Sequence, residues 1–381
     1  MMYSKRLNAK QSLVLFFLAI SFVANIVLVA DSSDRYYEIH YWLWPLSHYL
    51  LYPLIFFAAG DFVRALFVSR YVSFFLLATT FFCLASYVYT LDGGKLSEGY
   101  FRMPFYSISF LFFFVAYSDA VVERRLQFFI DYGVLVAALV MFALLVMWQF
   151  FGYSGVNEHN QNLYHEEVYL FAVLPFLHRF EKFRPAMAII AIAACLLTGK
   201  NTGYLVALVI IYYYFGGISI AGFYGAVKTV FFKVMAPALV LLCSAFFYIY
   251  NLDAMPSGNV GTRMIAYGVK WSEFMASPVI GSFFYGKSLV DVGWGVIPAH
   301  SDILDIMAAG GVLALMLYLY PFFKIVASDV VPDWIKAAIV SFVVVMAVNP
   351  LLFNPKNAYF FWLFSAFGFA CLVMERRIER A

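Results

Sequence analysis

Charge is scarce in this chain. Asp, Glu, Lys and Arg supply 12% of its 381 residues, about half the share that a soluble domain carries. That excludes a soluble enzyme, a coiled coil and a disordered regulator. The two signs are also level, 25 Lys and Arg against 22 Asp and Glu for a net +3, which excludes a nucleic-acid binder. Cysteine is nearly as rare. Cys83, Cys195, Cys243 and Cys371 all fall inside apolar runs, so neither a disulfide framework nor a metal-ligand spacing is present. No Gly-x-Gly-x-x-Gly turn and no kinase signature occurs. What fills the chain instead is apolar: 64% hydrophobic residues and 21% aromatics, 44 of them Phe. One soluble core cannot hide so much, and the excess points to surfaces that face lipid.

A bilayer core about 30 Å thick needs roughly 20 apolar residues per helix. Such runs follow one another near 11–30, 41–60, 72–91, 103–118, 129–151, 168–178, 186–199, 203–221, 234–251, 302–323, 337–354 and 358–374. The pattern predicts an all-α integral membrane protein of about twelve transmembrane helices. It forms a single polytopic domain over 1–381, with a structured external loop, 252–301, between spans nine and ten. The first run follows Lys5, Arg6 and Lys10 but is too long for a signal peptide, and Leu28-Val29-Ala30 is a poor cleavage site. It reads as an uncleaved anchor. In alternate loops, seventeen basic residues fall on the side of the N-terminus, Arg64, Arg70, Arg124, Arg125, Lys182 and the C-terminal arginines. Eight fall on the other. The positive-inside bias predicts both termini in the cytoplasm. The cytoplasmic loops are too short for a nucleotide-binding domain, so any chemistry belongs to the external face.

Three external segments carry the candidate residues. In the large loop, Arg263, Tyr267, Lys270, Trp271 and Phe274 recur at helical spacing, and Pro278 stops the helix. They fit an interfacial helix with its cations at lipid phosphates and Trp271 and Phe274 among acyl chains. They equally fit a cationic clamp for a phosphorylated lipid, in which Arg supplies the phosphate-matched fork. The loop ends at His300-Ser301-Asp302, with Asp305 beyond. Ser301 is a capping residue that sets His300 at the N-terminus of a membrane helix. The helix dipole there disfavours imidazolium while Asp302 and Asp305 favour it. A neutral His beside a carboxylate suits a general base, and a bond from the imidazole to a backbone carbonyl is the structural alternative. The run from Asn157 to Glu167 is the densest polar stretch, with Asn160, Asn162, His159, His165, Glu158 and Glu166. Its histidines, six apart, share no helical face, so a hydrogen-bonding lid over a sugar is expected rather than a metal site. Lys200 and Asn201 occupy a tight turn between two spans, and a snorkelling anchor is the plain alternative for the lysine. Within spans, His48 is expected to pack between helices and Asp131 to lie near a solvated boundary.

Taken in order, these segments resemble the bacterial O-antigen ligase and O-antigen polymerase superfamily. The resemblance covers about residues 152–320. It rests on the Asn-containing loop before a Leu- and Pro-rich span, Asn157 to Pro175, and on the hairpin tip Thr198 to Gly203. Gly261-Thr262-Arg263 then opens a helix running to Ser277-Pro278-Val279-Ile280-Gly281, and His300 leads into a helix with Gly310-Gly311. Two departures stand out: Lys200 and Asn201 where the family places Arg, and Ser301 where Asn is common after the His.

The resemblance implies a membrane glycosyltransferase at the periplasmic face of the bacterial inner membrane. Its donor is a glycan on undecaprenyl pyrophosphate, and its acceptor a sugar hydroxyl on another lipid-linked glycan (polymerase) or on lipid A core (ligase). Partners would be the lipid bilayer and other polysaccharide-assembly membrane proteins, with no nucleic acid, cofactor or metal. Pyrophosphate leaves readily, so catalysis needs its growing charge neutralised and the acceptor deprotonated. Arg263, with Lys200 and Lys270, would do the first. His300, oriented by Asp302 or Asp305, would do the second, inverting the anomeric centre. Tyr267, Asn157, Asn160, Asn162 and Asn201 complete the expected binding set. The alternative from another class is a transporter or lipid-linked oligosaccharide flippase. Such a protein needs cations along a central cavity, whereas here they gather in loops.

Overall fold

The computed structural model describes residues 7–30, 47–91, 98–151, 164, 166–216, 259–283, 289–293, 295–352 and 354–378. Helices dominate. They are α1 (Ala9–Ala30), α2 (Leu54–Val68), α3 (Arg70–Leu91), α4 (Glu98–Ser107), α5 (Ser109–Tyr117), α6 (Ala120–Phe151), α7 (Tyr169–Val173), α8 (Arg184–Leu197), α9 (Asn201–Gly216), α10 (Asn259–Ala276), α11 (Asp302–Val326), α12 (Asp333–Met346) and α13 (Pro355–Ile378). A short antiparallel hairpin, β1 (Leu289–Asp291) and β2 (Val296–Pro298), pairs Val290 with Ile297 between α10 and α11.

Among the described residues, four helices are long and apolar enough to cross a membrane: Ala9–Ala30, Val122–Phe151, Asp302–Val326 and Lys356–Val373. A bent pair, Leu54–Phe67 with Arg70–Ala85, makes a fifth if counted as one span. The protein is thus an all-α, membrane-embedded chain. The run near 186–199 is helical as α8 and that near 337–354 as the shorter α12, and the described part of the run near 203–221 is helical as α9. The run at 234–251 lies outside the described residues. The second and third runs depart most from expectation. The helix does not end at 60 but continues past Arg64 to Val68, breaks at extended Ser69, and resumes at Arg70 with a bend of 114°. The apolar register continues through Asp61 and Arg64, which are held by Lys10 and by each other.

Local chemistry accounts for several ends. Pro185 and Pro355 stand in the first turns of α8 and α13, where a missing N–H costs nothing. Asn354 accepts from the Lys356 N–H at 3.3 Å and caps α13. Trp362 at the centre of α13 meets Phe75 of α3, Phe110 of α5 and Tyr318 of α11 at ring separations of 5.4 to 6.1 Å. In lipid no hydrophobic force drives helices together, so such aromatic contacts supply the packing. His48 is buried against the Tyr106 ring, with Nδ1 at 2.6 Å from Ser109 Oγ. Asp131 does not lie at a solvated boundary. It is wholly buried and accepts from Gln127 Nε2 and the Arg179 N–H, because the 3₁₀ turns at His178–Phe183 fold back along α6.

Lys10 with Asp61, and Gln11 with Asp119, tie together three segments of the basic-rich set. Tyr164 donates to the Ala30 carbonyl at the end of α1, while Glu166 and Glu167 meet the start of α13.

Candidate functional site

The site is built around the entry to α11. Strand β2 delivers the chain to buried Ala299, and His300 follows with φ of 55°. His is among the few non-glycine residues that visit this left-handed region, and a residue held there is a mark of function as well as of a tight turn. Ser301 then caps the helix, its Oγ accepting from the Leu304 N–H at 3.4 Å, as the sequence predicts. Asp302 and Asp305 stand in the first turn, where the dipole favours acids.

Helix α10 runs beside α11, held at successive levels. Tyr267 donates its hydroxyl to the His300 carbonyl at 3.2 Å, and Lys270 Nζ lies 3.9 Å from Asp305. Ala266 packs on Val290 and Val292 of the hairpin, so β1 and β2 press α10 against the turn that carries His300. Further down, Ser282 donates its N–H to the Ala308 carbonyl at 3.1 Å. The N–H groups of Val312 and Leu313 donate to the carbonyls of Pro278 and Val279, at 2.9 and 3.3 Å. Those two donors are free because α11 breaks at Gly311 (φ 64°, ψ −164°), a conformation reserved for glycine. A Cβ on Gly281 would come within 2.6 Å of the backbone of Ala309, Gly310 and Gly311. The Ser277–Gly281 segment and the Gly310-Gly311 pair are thus two halves of one backbone splice.

Arg263 lies one turn before Tyr267 on the same face of α10. It is half-buried, and among the described residues it forms no ion pair. Lys270 does not share that freedom. It is wholly buried, with Glu273 at 2.7 Å and Asp305 nearby. The expected single face also divides, since Phe274 is buried and Trp271 is exposed. The backbone splice explains the difference: it turns α10 so that the Lys270 and Phe274 side faces α11.

Asp302 is buried and its Oδ2 accepts from the Leu352 N–H at 2.7 Å, while Oδ1 has no hydrogen-bond partner among the described residues. Asp305 faces Lys270. Both carboxylates therefore fix the helix entry from within the bundle.

A second group, which sequence reasoning passed over, lies behind this entry. Lys356 Nζ pairs with Glu167 at 2.6 Å, both side chains buried. Glu166 accepts from Asn354 and Asn357 at 3.4 and 3.2 Å, and Tyr169 donates to Asn357 Oδ1 at 2.7 Å. A lysine in the first turn of a helix opposes the dipole, which Glu167 offsets. The available signal was the compact polar run Asn354-Pro355-Lys356-Asn357 between two apolar stretches.

Lys200 and Asn201 occupy the turn between α8 and α9, where Gly199 has φ of 62°. Lys200 is half-exposed and Asn201 exposed, and the α8–α9 hairpin packs on α12 and α7. No side-chain bond joins Lys200 to Arg263 or His300. Asn157, Asn160 and Asn162, with His159, His165 and Glu158, lie outside the described residues.

Gly281 to Ser288 spells Gly-x-x-x-x-Gly-Lys-Ser, the letters of a phosphate-binding P-loop. The motif needs a strand before it and a helix after it. Here a helix precedes and a strand follows, and Gly281 is spent on the splice, so the octapeptide lacks the context of that motif; its residues 284–288 lie outside the described residues. No protein-family model matches the chain, and a comparison with curated proteins finds no relative.

Proposed function

We propose that this protein is a membrane glycosyltransferase that moves a glycan from a polyprenyl pyrophosphate to a sugar hydroxyl at the external face of the bacterial inner membrane. The observation that carries the reading is the bond from Tyr267, one helical turn beyond Arg263, to the carbonyl of His300. Among the described residues the guanidinium of Arg263 pairs with no carboxylate. Arg263 neutralises charge growing on the departing pyrophosphate, and His300 takes the proton of the attacking hydroxyl as the new glycosidic bond forms. Lys200 assists at the donor, and the asparagines of 157–162 contact sugar. Lys270, Asp302 and Asp305 hold the two elements in register. A topology with both termini cytoplasmic, which the bias of basic residues between apolar runs supports, would put this end of the bundle in the periplasm, where lipid-linked glycans are presented. The acceptor is a second lipid-linked glycan for a polymerase, or lipid A core for a ligase.

The direct test incubates purified protein with lipid-linked oligosaccharide and follows chain length. Extension by the wild type, lost in His300→Gln at equal protein level, supports the enzyme. A transporter or flippase is indifferent to that substitution and yields no longer chains.

A further inference from the structure

Around the entry to α11 the buried charges do not balance. Among the described residues there, three carboxylates are buried, Asp302, Asp305 and Glu167, against two ammonium groups, Lys270 and Lys356. Lys356 is taken by Glu167 at 2.6 Å. Lys270 is shared between Asp305 at 3.9 Å and the partly exposed Glu273 at 2.7 Å. Asp302 forms no ion pair among the described residues, and the charged neighbours that act on it, Asp305 and Glu166, are acids that repel it.

The same place leaves two oxygens without a donor. Asp302 Oδ2 accepts from the Leu352 N–H at 2.7 Å, which sets the carboxylate against the turn between α12 and α13. Its Oδ1 is buried and has no hydrogen-bond partner among the described residues. Neither has Oδ1 of Asn349, three residues before Leu352 in that turn and 2% exposed. Leaving an unpaired carboxylate dry beside other acids is costly. A proton would neutralise Asp302 but would leave the Asn349 oxygen unmet, whereas a cation answers both.

The donor set defines the cation. All its atoms are oxygens, which select a hard ion, and the imbalance is a single charge. No three His, Cys, Asp or Glu side chains gather among the described residues as a multivalent metal site would require. The carbonyls of Asn349 and Leu351 each accept one N–H, from Leu351 and Asn354 at 3.1 Å, and each keeps a second lone pair. The turn also follows the C-terminus of α12 at Met346, the negative end of the helix dipole, and carbonyls at such ends are suited to alkali ions.

We propose that Asp302 and Asn349, with carbonyls of the turn that follows α12, bind one alkali cation, which clamps that turn to the entry of α11. The site goes beyond glycan transfer and does not rest on it. Its structural consequence falls on Ser301 and His300, because the clamp holds the helix entry immediately after them.

The test measures equilibrium binding of radioactive sodium, and of radioactive rubidium standing in for potassium, to the purified full-length protein, with choline chloride holding the ionic strength constant. The wild type should bind one of these ions saturably, near a single ion per chain. Asp302→Asn keeps an acceptor for the Leu352 N–H but removes the charge, and should weaken binding at least tenfold. Asn349→Ala should weaken it severalfold. Asp333→Asn, at an exposed acid on the far end of α12, should leave it unchanged. Absence of saturable binding of either ion to the wild type, which needs no variant to fold, would show that a proton neutralises Asp302 and would overturn the proposal. Undiminished binding to a folded Asp302→Asn protein would place the ion elsewhere and overturn it equally.

Discussion

Substituting Gly311 by alanine strikes the splice that holds α10 on α11. The backbone there has φ of 64° and ψ of −164°, and forcing an L-residue into that region costs on the order of 1–3 kcal/mol. The new Cβ would also collide with the Val279 carbonyl, so the Ser277–Gly281 segment must move. Two backbone hydrogen bonds then weaken, from Val312 to Pro278 and from Leu313 to Val279, each worth about 0.5–1.5 kcal/mol net. Together the losses reach about 4 kcal/mol, in the tail of single-substitution effects, and should lower the thermal midpoint of the purified protein by several degrees. Gly268 is the internal control. It sits on the same α10, and an added Cβ meets nothing within 4 Å, so Gly268→Ala should be neutral or stabilise by up to about 1 kcal/mol. Midpoints are to be compared at one scan rate in one detergent, since membrane proteins often unfold irreversibly. If Gly311→Ala is as stable as wild type while Gly268→Ala is harmed, the splice is misassigned. A folded Gly311→Ala protein should still lose transfer, because Arg263 then drifts from His300.

Arg263→Ala should lower transfer about a hundredfold, the equivalent of roughly 3 kcal/mol of transition-state stabilisation. Arg263→Lys should recover little, since a point charge lacks the bidentate fork; near-normal rates in the alanine variant would remove Arg263 from the site. His300→Gln should abolish turnover while leaving donor binding intact, because it removes proton transfer but keeps a hydrogen-bonding group; a fully active glutamine variant would reassign the base. Lys356→Met should destabilise by about 3–5 kcal/mol by stranding Glu167, whereas adding Glu167→Leu should restore most of the loss; a double variant no better than the single would show that the pair is not the source. Lys200→Ala should weaken donor binding and Asn201→Arg in that background should partly restore it, a titration with lipid-linked glycan being the measurement; a silent Lys200→Ala leaves the lysine as an interfacial anchor.

Composition and periodicity by themselves determined that this chain is helical and lives in a membrane. They also placed the stop at Pro278 and the Ser301 cap, because each depends on a few neighbouring residues and on steric rules that hold anywhere. The inward turn of α10 was not legible. An interfacial helix and one descending beside α11 both show one polar and one apolar side, so Lys270 and Phe274 looked as exposed as Trp271. The difference lies in backbone bonds between Pro278 and Val312, thirty-four residues apart, which no side-chain pattern encodes. Asp131 and Lys356 were misjudged or passed over for a related reason. Distance from a span end suggests how wet a charge is, but Asp131 is dried by a turn folding back from Arg179, and Lys356 is neutralised by Glu167 from nearly two hundred residues away. Burial and pairing of ionisable groups are properties of the assembled bundle, because the low-dielectric surroundings that decide their partners exist only once the helices meet.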